Sequence, residues 1–131
     1  MNATALCVED DDNHAYLLER RLGRDGIAVY RVASAEEGLD ALAARAFDFV
    51  LLDLNLPGMD GWAFLERLRR EPRAHVAPVI VLSAHVLKDE AEHALAAGAV
   101  AFLPKPIDFA RLRRVIDGLP AARRTVGEPA P

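Results

Sequence analysis

Five short apolar runs recur along the chain, and a segment with helical periodicity follows each of them. The runs are residues 5–8, 28–32, 49–52, 79–82 and 101–103. Between them, apolar residues recur three and four positions apart, which indicates helices that bury one face. Strands that alternate with helices predict a parallel sheet with helices on both faces. This alternation restricts the chain to a doubly wound α/β domain.

Local signals mark the ends of three of these helices. Ser34 and Glu37 form a capping-box pattern, Gly98 is placed to end the fourth helix, and Asp108 is placed to cap the fifth. The apolar positions of the helices predict their buried faces. We expect these faces to contain Ala15, Leu18, Leu22, Leu39, Leu42, Ala43, Phe64, Leu65, Leu68, Phe109, Leu112, Val115 and Ile116.

Length and composition fit one globular domain. The 131 residues are 52% hydrophobic and 27% charged, with a net charge of −4, a balance that gives no support to nucleic-acid binding. Acidic residues 9–12 interrupt the place where a signal peptide would be apolar, and no apolar run approaches the about 20 residues that span a bilayer. We therefore expect a cytoplasmic protein. The single cysteine, Cys7, is expected in the core.

Polar residues follow four of the predicted strands. Glu9 and Asp10 follow the first, Asp53 the third and Ser83 the fourth, and Lys105 lies just beyond the fifth. In doubly wound sheets, ligands bind beyond the carboxyl ends of the strands. Each residue alone could be a helix cap, a solvated charge or a surface residue. Together they bring acids, a hydroxyl and an ammonium to one edge, a set suited to phosphoryl chemistry.

Four motifs in this order resemble the receiver domains of response regulators in two-component signalling, including single-domain members of the chemotaxis type. The motifs are VEDD at 8–11, LDLNLPGMDG at 52–61, LSA at 82–84 and KP at 105–106. The resemblance covers residues 4–119 and implies a flavodoxin-like sheet with strand order 2-1-3-4-5. It assigns residues 1–119 to a receiver domain and residues 120–131 to a flexible tail or linker.

The resemblance implies that Asp53 accepts a phosphoryl group from a phosphohistidine of a sensor kinase or of a histidine phosphotransfer protein. The implied cofactor is Mg²⁺ (or Mn²⁺), a cation that prefers oxygen ligands. Its implied ligands are Asp10, Asp53 and the backbone carbonyl of Asn55, with Glu9 acting through water. Many family members carry aspartate at the position of Glu9.

Further roles follow from the same resemblance. Lys105 and Ser83 would stabilise the transferred group, and we expect Lys105 to matter for transfer more than for folding. Ser83 and Phe102 would form the switch, although Phe102 could be a permanent core residue. Asn55 and His85 would flank the attacking water and set the rate of dephosphorylation.

The family's usual output surface comprises the fourth helix, fifth strand and fifth helix. We expect it to bind a downstream protein, and the chain to be a monomer or a phosphorylation-dependent dimer without direct nucleic-acid or membrane contact.

Three alternatives remain open at this stage. The chain could be a degenerate receiver that binds partners without phosphorylation. It could be a Mg²⁺-dependent phosphatase with an aspartate nucleophile, but such enzymes of the haloacid dehalogenase type carry an acid two residues later, where this chain has Asn55. It could bind a flavin phosphate, but the acids at 9–12 would repel that group.

Overall fold

The computed structural model describes residues 3–56, 58–70, 77–84 and 88–119, and strands and helices alternate along them. The strands are β1 (Ala3–Val8), β2 (Ile27–Val32), β3 (Phe49–Asp53), β4 (Val79–Ser83) and β5 (Ala101–Pro104). The helices are α1 (Asp12–Arg24), α2 (Ala35–Ala44), α3 (Gly61–Arg70), α4 (Lys88–Ala96) and α5 (Phe109–Asp117). Of the described helices, none is long and apolar enough to cross a bilayer.

The strands form one parallel sheet in the order β2-β1-β3-β4-β5, which confirms the predicted fold and strand order. Every residue of β3 and β4 is buried, as expected of central strands covered on both faces. The edge strand β2 alternates between buried and exposed positions. The most apolar strands therefore occupy the middle of the sheet, beside the point where the strand order reverses between β1 and β3.

The pleat of the sheet divides the core into two halves. Ala5 and Cys7 of β1 face one half, where α1 and α5 contribute Leu18, Leu22, Leu112 and Ile116. Leu6 and Val8 face the other half, which α2, α3 and α4 cover. Because successive side chains of a strand point to opposite faces, each central strand stabilises both halves.

Cys7 is buried near the carboxyl end of β1, which confirms its expected place in the core. Burial raises the pKa of its thiol to about 12. The thiol is therefore protonated at neutral pH and acts as a small apolar side chain.

Helix α2 departs from the predicted core positions. Its buried residues are Ala35, Gly38 and Ala41, whereas Ala43 is exposed, so the prediction for Ala43 was wrong. A Cβ at Gly38 would lie 3.0 Å from the ring of Phe64 and 3.1 Å from Val8 Cγ2. The helix approaches the sheet so closely that its smallest residues are the buried ones, while Leu39 and Leu42 are partly buried and pack against the same core.

The predicted helix ends are confirmed at three sites. Ser34 Oγ accepts a hydrogen bond from the amide of Glu37, and Asp108 accepts one from the amide of Arg111. Gly98 follows α4 with φ +112°, a left-handed conformation that favours glycine. These caps fix where α2, α4 and α5 begin or end.

Gly61, the first residue of α3, allows this helix to lie against the end of β3. A Cβ at Gly61 would lie 2.6 Å from Leu54 Cα and 2.9 Å from the Asp53 carbonyl oxygen. The amide of Gly61 also donates to the Leu54 carbonyl at 3.0 Å. The backbone that carries Asp53 is therefore held by direct contact with the start of α3.

Replacing Gly61 by alanine should destabilise the fold by about 1–3 kcal/mol, because the new methyl group must displace backbone atoms of Leu54 and Asp53. The control is Gly23→Ala in α1, where nothing lies within 4 Å of the added Cβ. That change should stabilise the protein by up to about 1 kcal/mol. Denaturant unfolding of both variants tests the contact, and equal effects of the same sign would contradict it.

Candidate functional site

The carboxyl ends of four strands bring the predicted residues to one edge of the sheet. Asp53 is the last residue of β3, and Ser83 is the last residue of β4. Glu9 and Lys105 directly follow β1 and β5. In the strand register, Val8 pairs with Leu52 and Ser83 pairs with Pro104, so these ends lie at the same height.

Glu9, Asp10 and Asp53 form an acidic cluster. One carboxylate oxygen from each residue lies within 4.8 Å of those of the other two. Glu9 is only 1% exposed and Asp53 5% exposed, whereas Asp10 faces solvent. Two of the three acids are therefore held at the base of the cluster and the third at its mouth.

The ammonium group of Lys105 lies between the two buried carboxylates. Its Nζ donates to Glu9 Oε1 at 2.7 Å and lies 3.6 Å from Asp53 Oδ1. The side chain of Lys105 is only 11% exposed. Its backbone amide donates to the Ser83 carbonyl at 2.8 Å, which ties the β5–α5 loop to the end of β4. Lys105 is thus anchored through its backbone and paired through its side chain.

The site holds more acids than bases, and both burial and this excess act on the pKa of Asp53. Burial and the neighbouring Glu9 carboxylate raise the pKa of Asp53 from 3.8 to about 6. Lys105 and the amide of Asn55, which donates to Asp53 Oδ1 at 3.2 Å, act in the opposite direction. One ammonium does not compensate the two buried acids and the nearby Asp10.

The acidic cluster fits a hard divalent cation. It offers several carboxylate oxygens in one place, and a cation there would offset the repulsion from Glu9, which adds to the effect of burial in raising the pKa of Asp53. Asn55 follows Asp53 by two residues and is exposed at the mouth of the cluster, where its backbone is close enough to Asp53 to donate to it. The donor set is therefore suited to a cation that prefers oxygen ligands.

Asp11 has a separate task, because it caps α1. Its Oδ1 accepts a hydrogen bond from the backbone amide of His14 at 3.0 Å, and this bond lowers the pKa of Asp11. Its own amide donates to Glu9 Oε2 at 3.2 Å. Asp11 thus starts the helix and orients Glu9.

Ser83 and Phe102 lie on the two strands beyond Asp53. Ser83 is fully buried. Phe102 pairs with Val81, two residues before Ser83, and is buried in the core half that α2, α3 and α4 cover. The switch role predicted for these two residues stays a prediction. His85, predicted to tune dephosphorylation, lies outside the described residues.

Sequence reasoning missed two residues beside the site. His14 Nδ1, in the first turn of α1, lies 3.3 Å from Lys105 Nζ and 3.8 Å from Glu9 Oε1. Arg31, in β2, donates to the Glu9 carbonyl. His14 could have been found, because a helix that starts directly after the acids must carry its first turn over them. Arg31 lies inside β2, and a search of the residues that follow each strand does not include it.

Two curated relatives match most of this chain. The DNA-binding transcriptional regulator NtrC of Klebsiella pneumoniae is 37% identical to this chain over 113 residues. The match covers 86% of this chain and 24% of NtrC. The transcriptional activator protein PfeR of Pseudomonas aeruginosa is 40% identical over 128 positions, which cover 91% of this chain and 41% of PfeR. The chain thus spans less than half the length of either relative.

A solved structure with the same fold also matches. The receiver domain of the sensor histidine kinase PA1611 from Pseudomonas aeruginosa is 28% identical, with a TM-score of 0.82 over 91% of this chain and 98% of that domain. That structure holds a magnesium ion in its active-site cleft. Residues 5–117 of this chain match the response regulator receiver domain family. The chain therefore belongs to the receiver domains of two-component signalling.

Proposed function

We propose that Asp53 is the phosphoacceptor of this receiver domain. The observation that carries the proposal is the buried pair of Asp53 and Glu9 around Lys105, in which one ammonium leaves an excess of negative charge. The donor would be a phosphohistidine of a sensor kinase or of a histidine phosphotransfer protein. A bond would form between an Asp53 oxygen and phosphorus as the bond from phosphorus to the imidazole nitrogen breaks.

The proposed cation is Mg²⁺ or Mn²⁺. Asp10, Asp53 and the carbonyl of Asn55 would hold it directly, and Glu9 would hold it through a water molecule. When bound, the cation would neutralise the cluster and offset charge on a phosphoryl oxygen. The three clustered carboxylates support this proposal, as does the magnesium ion in the similar receiver structure.

The chain's own residues would position and stabilise the phosphoryl group. Transfer proceeds through a loose transition state, so catalysis depends mainly on placement and on charge. The ammonium of Lys105, 3.6 Å from Asp53 Oδ1, would pair with one phosphoryl oxygen. The Ser83 hydroxyl would donate to another. Asn55, at the mouth of the cluster, and His85 would flank the water that later hydrolyses the phosphoaspartate.

The signal would leave through the surface of α4, β5 and α5. Ser83 would move toward the phosphoryl group, and Phe102 would rearrange in the core beneath it. Leu95 on α4 and Val100 before β5 are large, exposed apolar residues, which suits binding of a downstream protein. In this proposal the domain catalyses only its own phosphorylation and dephosphorylation, acts in the cytoplasm without contacting nucleic acid or membrane, and is a monomer or a phosphorylation-dependent dimer.

Incubation with Mg²⁺ and acetyl phosphate should add the mass of one phosphoryl group to the protein, and Asp53→Asn should abolish the addition. The control is Asp48→Asn, which makes the same chemical change beyond the opposite end of β3. This variant should be labelled like the wild type. Intact mass spectrometry provides the measurement, with a chelator as a second control. Undiminished labelling of Asp53→Asn would contradict the assignment and favour another acceptor.

The pH dependence of stability provides a second test, made without metal. Because folding raises the pKa of Asp53 from 3.8 to about 6, the folded state binds more protons than the unfolded state between these values. The destabilisation of the fold by ionised Asp53 is therefore absent well below pH 3.8, grows as the pH rises, and is complete above about pH 6. Asp53→Asn should remove this cost and raise the free energy of unfolding at pH 7 by about 1–3 kcal/mol.

The gain from Asp53→Asn should shrink on acidification and vanish at about pH 3, because the wild-type carboxyl is then largely protonated in the unfolded state as well as in the folded state. The exposed Asp40 of α2 supplies the control, since Asp40→Asn should change stability little at either pH. Saturating Mg²⁺ should stabilise the wild type more than Asp53→Asn, because the variant lacks one of the proposed carboxylate ligands. A destabilised Asp53→Asn at pH 7 would show that the carboxylate supports the fold.

Lys105 should matter for folding as well as for transfer, which revises the expectation from sequence. Lys105→Ala leaves the buried Glu9 without its 2.7 Å partner. Loss of one member of a buried pair costs on the order of 3 kcal/mol. Metal-free Lys105→Ala should therefore unfold at lower denaturant concentration than the wild type, and Mg²⁺ should recover part of the loss. Lys105→Arg, which keeps the charge, should lose less stability than Lys105→Ala. If Lys105→Ala were as stable as the wild type, the stabilising role of the ion pair with Glu9 would be contradicted.

A further inference from the structure

Arg31 contacts both ends of the loop between β1 and α1, which carries Glu9 and Asp10 of the acidic cluster. It lies in β2, where it pairs with Cys7 of β1. Its Nε donates to the Glu9 carbonyl at 2.8 Å, and its Nη1 lies 2.9 Å from Asp12 Oδ1. The guanidinium therefore connects Glu9, the first residue after β1, to Asp12, the first residue of α1, across Asp10 and Asp11.

Arg31 binds the backbone at Glu9, one residue beyond the end of β1. The amide of Glu9 still donates to the Val32 carbonyl at 3.0 Å, as in the parallel ladder. The Glu9 carbonyl instead accepts from the Arg31 side chain. The side chain of Arg31 is only 23% exposed, so its bond to Glu9 is partly shielded from water. Fork-shaped donation to two acceptors is a property of arginine that lysine lacks.

We propose that Arg31 is a positioning residue for the acidic cluster: by holding the loop between β1 and α1 at both ends, it keeps Glu9 and Asp10 turned toward Asp53. This inference rests on the proposed function, because it concerns the same cation site. In this proposal Arg31 is not a ligand and acts through its contacts with Glu9 and Asp12.

The sign of the effect separates positioning from simple charge. A guanidinium beside a cation site repels the cation, so its removal should tighten binding if charge alone mattered. Loss of positioning should instead weaken binding, because the carboxylates would have to be ordered when the cation arrives. Arg31→Met removes both the charge and the fork. Arg31→Lys keeps the charge and removes only the fork.

Calorimetric titration with Mg²⁺ should give a dissociation constant about tenfold higher for Arg31→Met than for the wild type, as observed when residues that orient metal ligands are lost. Arg31→Lys should also bind more weakly than the wild type, despite its retained charge. The control is Arg113→Met. Arg113 bridges Asp25 and Asp117 at 2.8 and 3.1 Å, in a similar fork at the ends of α1 and α5, and its removal should leave Mg²⁺ binding unchanged.

Amide hydrogen exchange in the presence of a chelator supplies a metal-free measurement. The amides of residues 9–12 should exchange faster in both Arg31 variants than in the wild type, and at wild-type rates in Arg113→Met. Unchanged or tighter Mg²⁺ binding by a folded Arg31→Lys would overturn the inference while leaving Asp53 labelling, and hence the proposed function, intact. A wild-type protein that neither binds Mg²⁺ nor becomes labelled would overturn both.

Discussion

Two buried carboxylates, Glu9 and Asp53, share the ammonium of Lys105, and the chemistry of the site depends on this unequal balance of charge. The pair is close, with Nζ at 2.7 Å from Glu9 and 3.6 Å from Asp53. The ammonium does not offset the burial of Asp53 and the nearby Glu9 carboxylate, which together raise the pKa of Asp53 to about 6. A bound cation would therefore stabilise this site, and this is the basis of the proposal that phosphorylation of Asp53 depends on a cation.

Three separate contacts of the fold hold these charged residues in place. Helix α3 begins at Gly61 directly against the backbone of Asp53, and the amide of Lys105 is bonded to the Ser83 carbonyl. Arg31 reaches from the edge strand to the Glu9 carbonyl. Each charged group is thus positioned by backbone contacts of its own, so a change at one connection should alter the site without unfolding the sheet.

The fold and the gathering of Glu9, Asp53, Ser83 and Lys105 at one edge of the sheet could be predicted from the sequence, because strand periodicity and strand ends are local properties. The place of Asp53 and Ser83 follows directly from where apolar runs stop. Side-chain reach is not local. Arg31 crosses from a neighbouring strand, and its role depends on a register that the sequence does not reveal. The inward face of α2 was misjudged at Ala43 for a related reason, since helix rotation depends on how closely Gly38 approaches Phe64.

The identity of the phosphorylated residue is the central claim, and chemical trapping tests it most directly. An acyl phosphate is reduced by borohydride to an alcohol, so a phosphorylated aspartate becomes homoserine, and peptide sequencing by mass spectrometry then locates it. The account predicts homoserine at position 53 after treatment with Mg²⁺ and acetyl phosphate, and its absence when Mg²⁺ is chelated. Reduction products at Glu9 or Asp10, or a borohydride-resistant phosphate on Ser83, would contradict it.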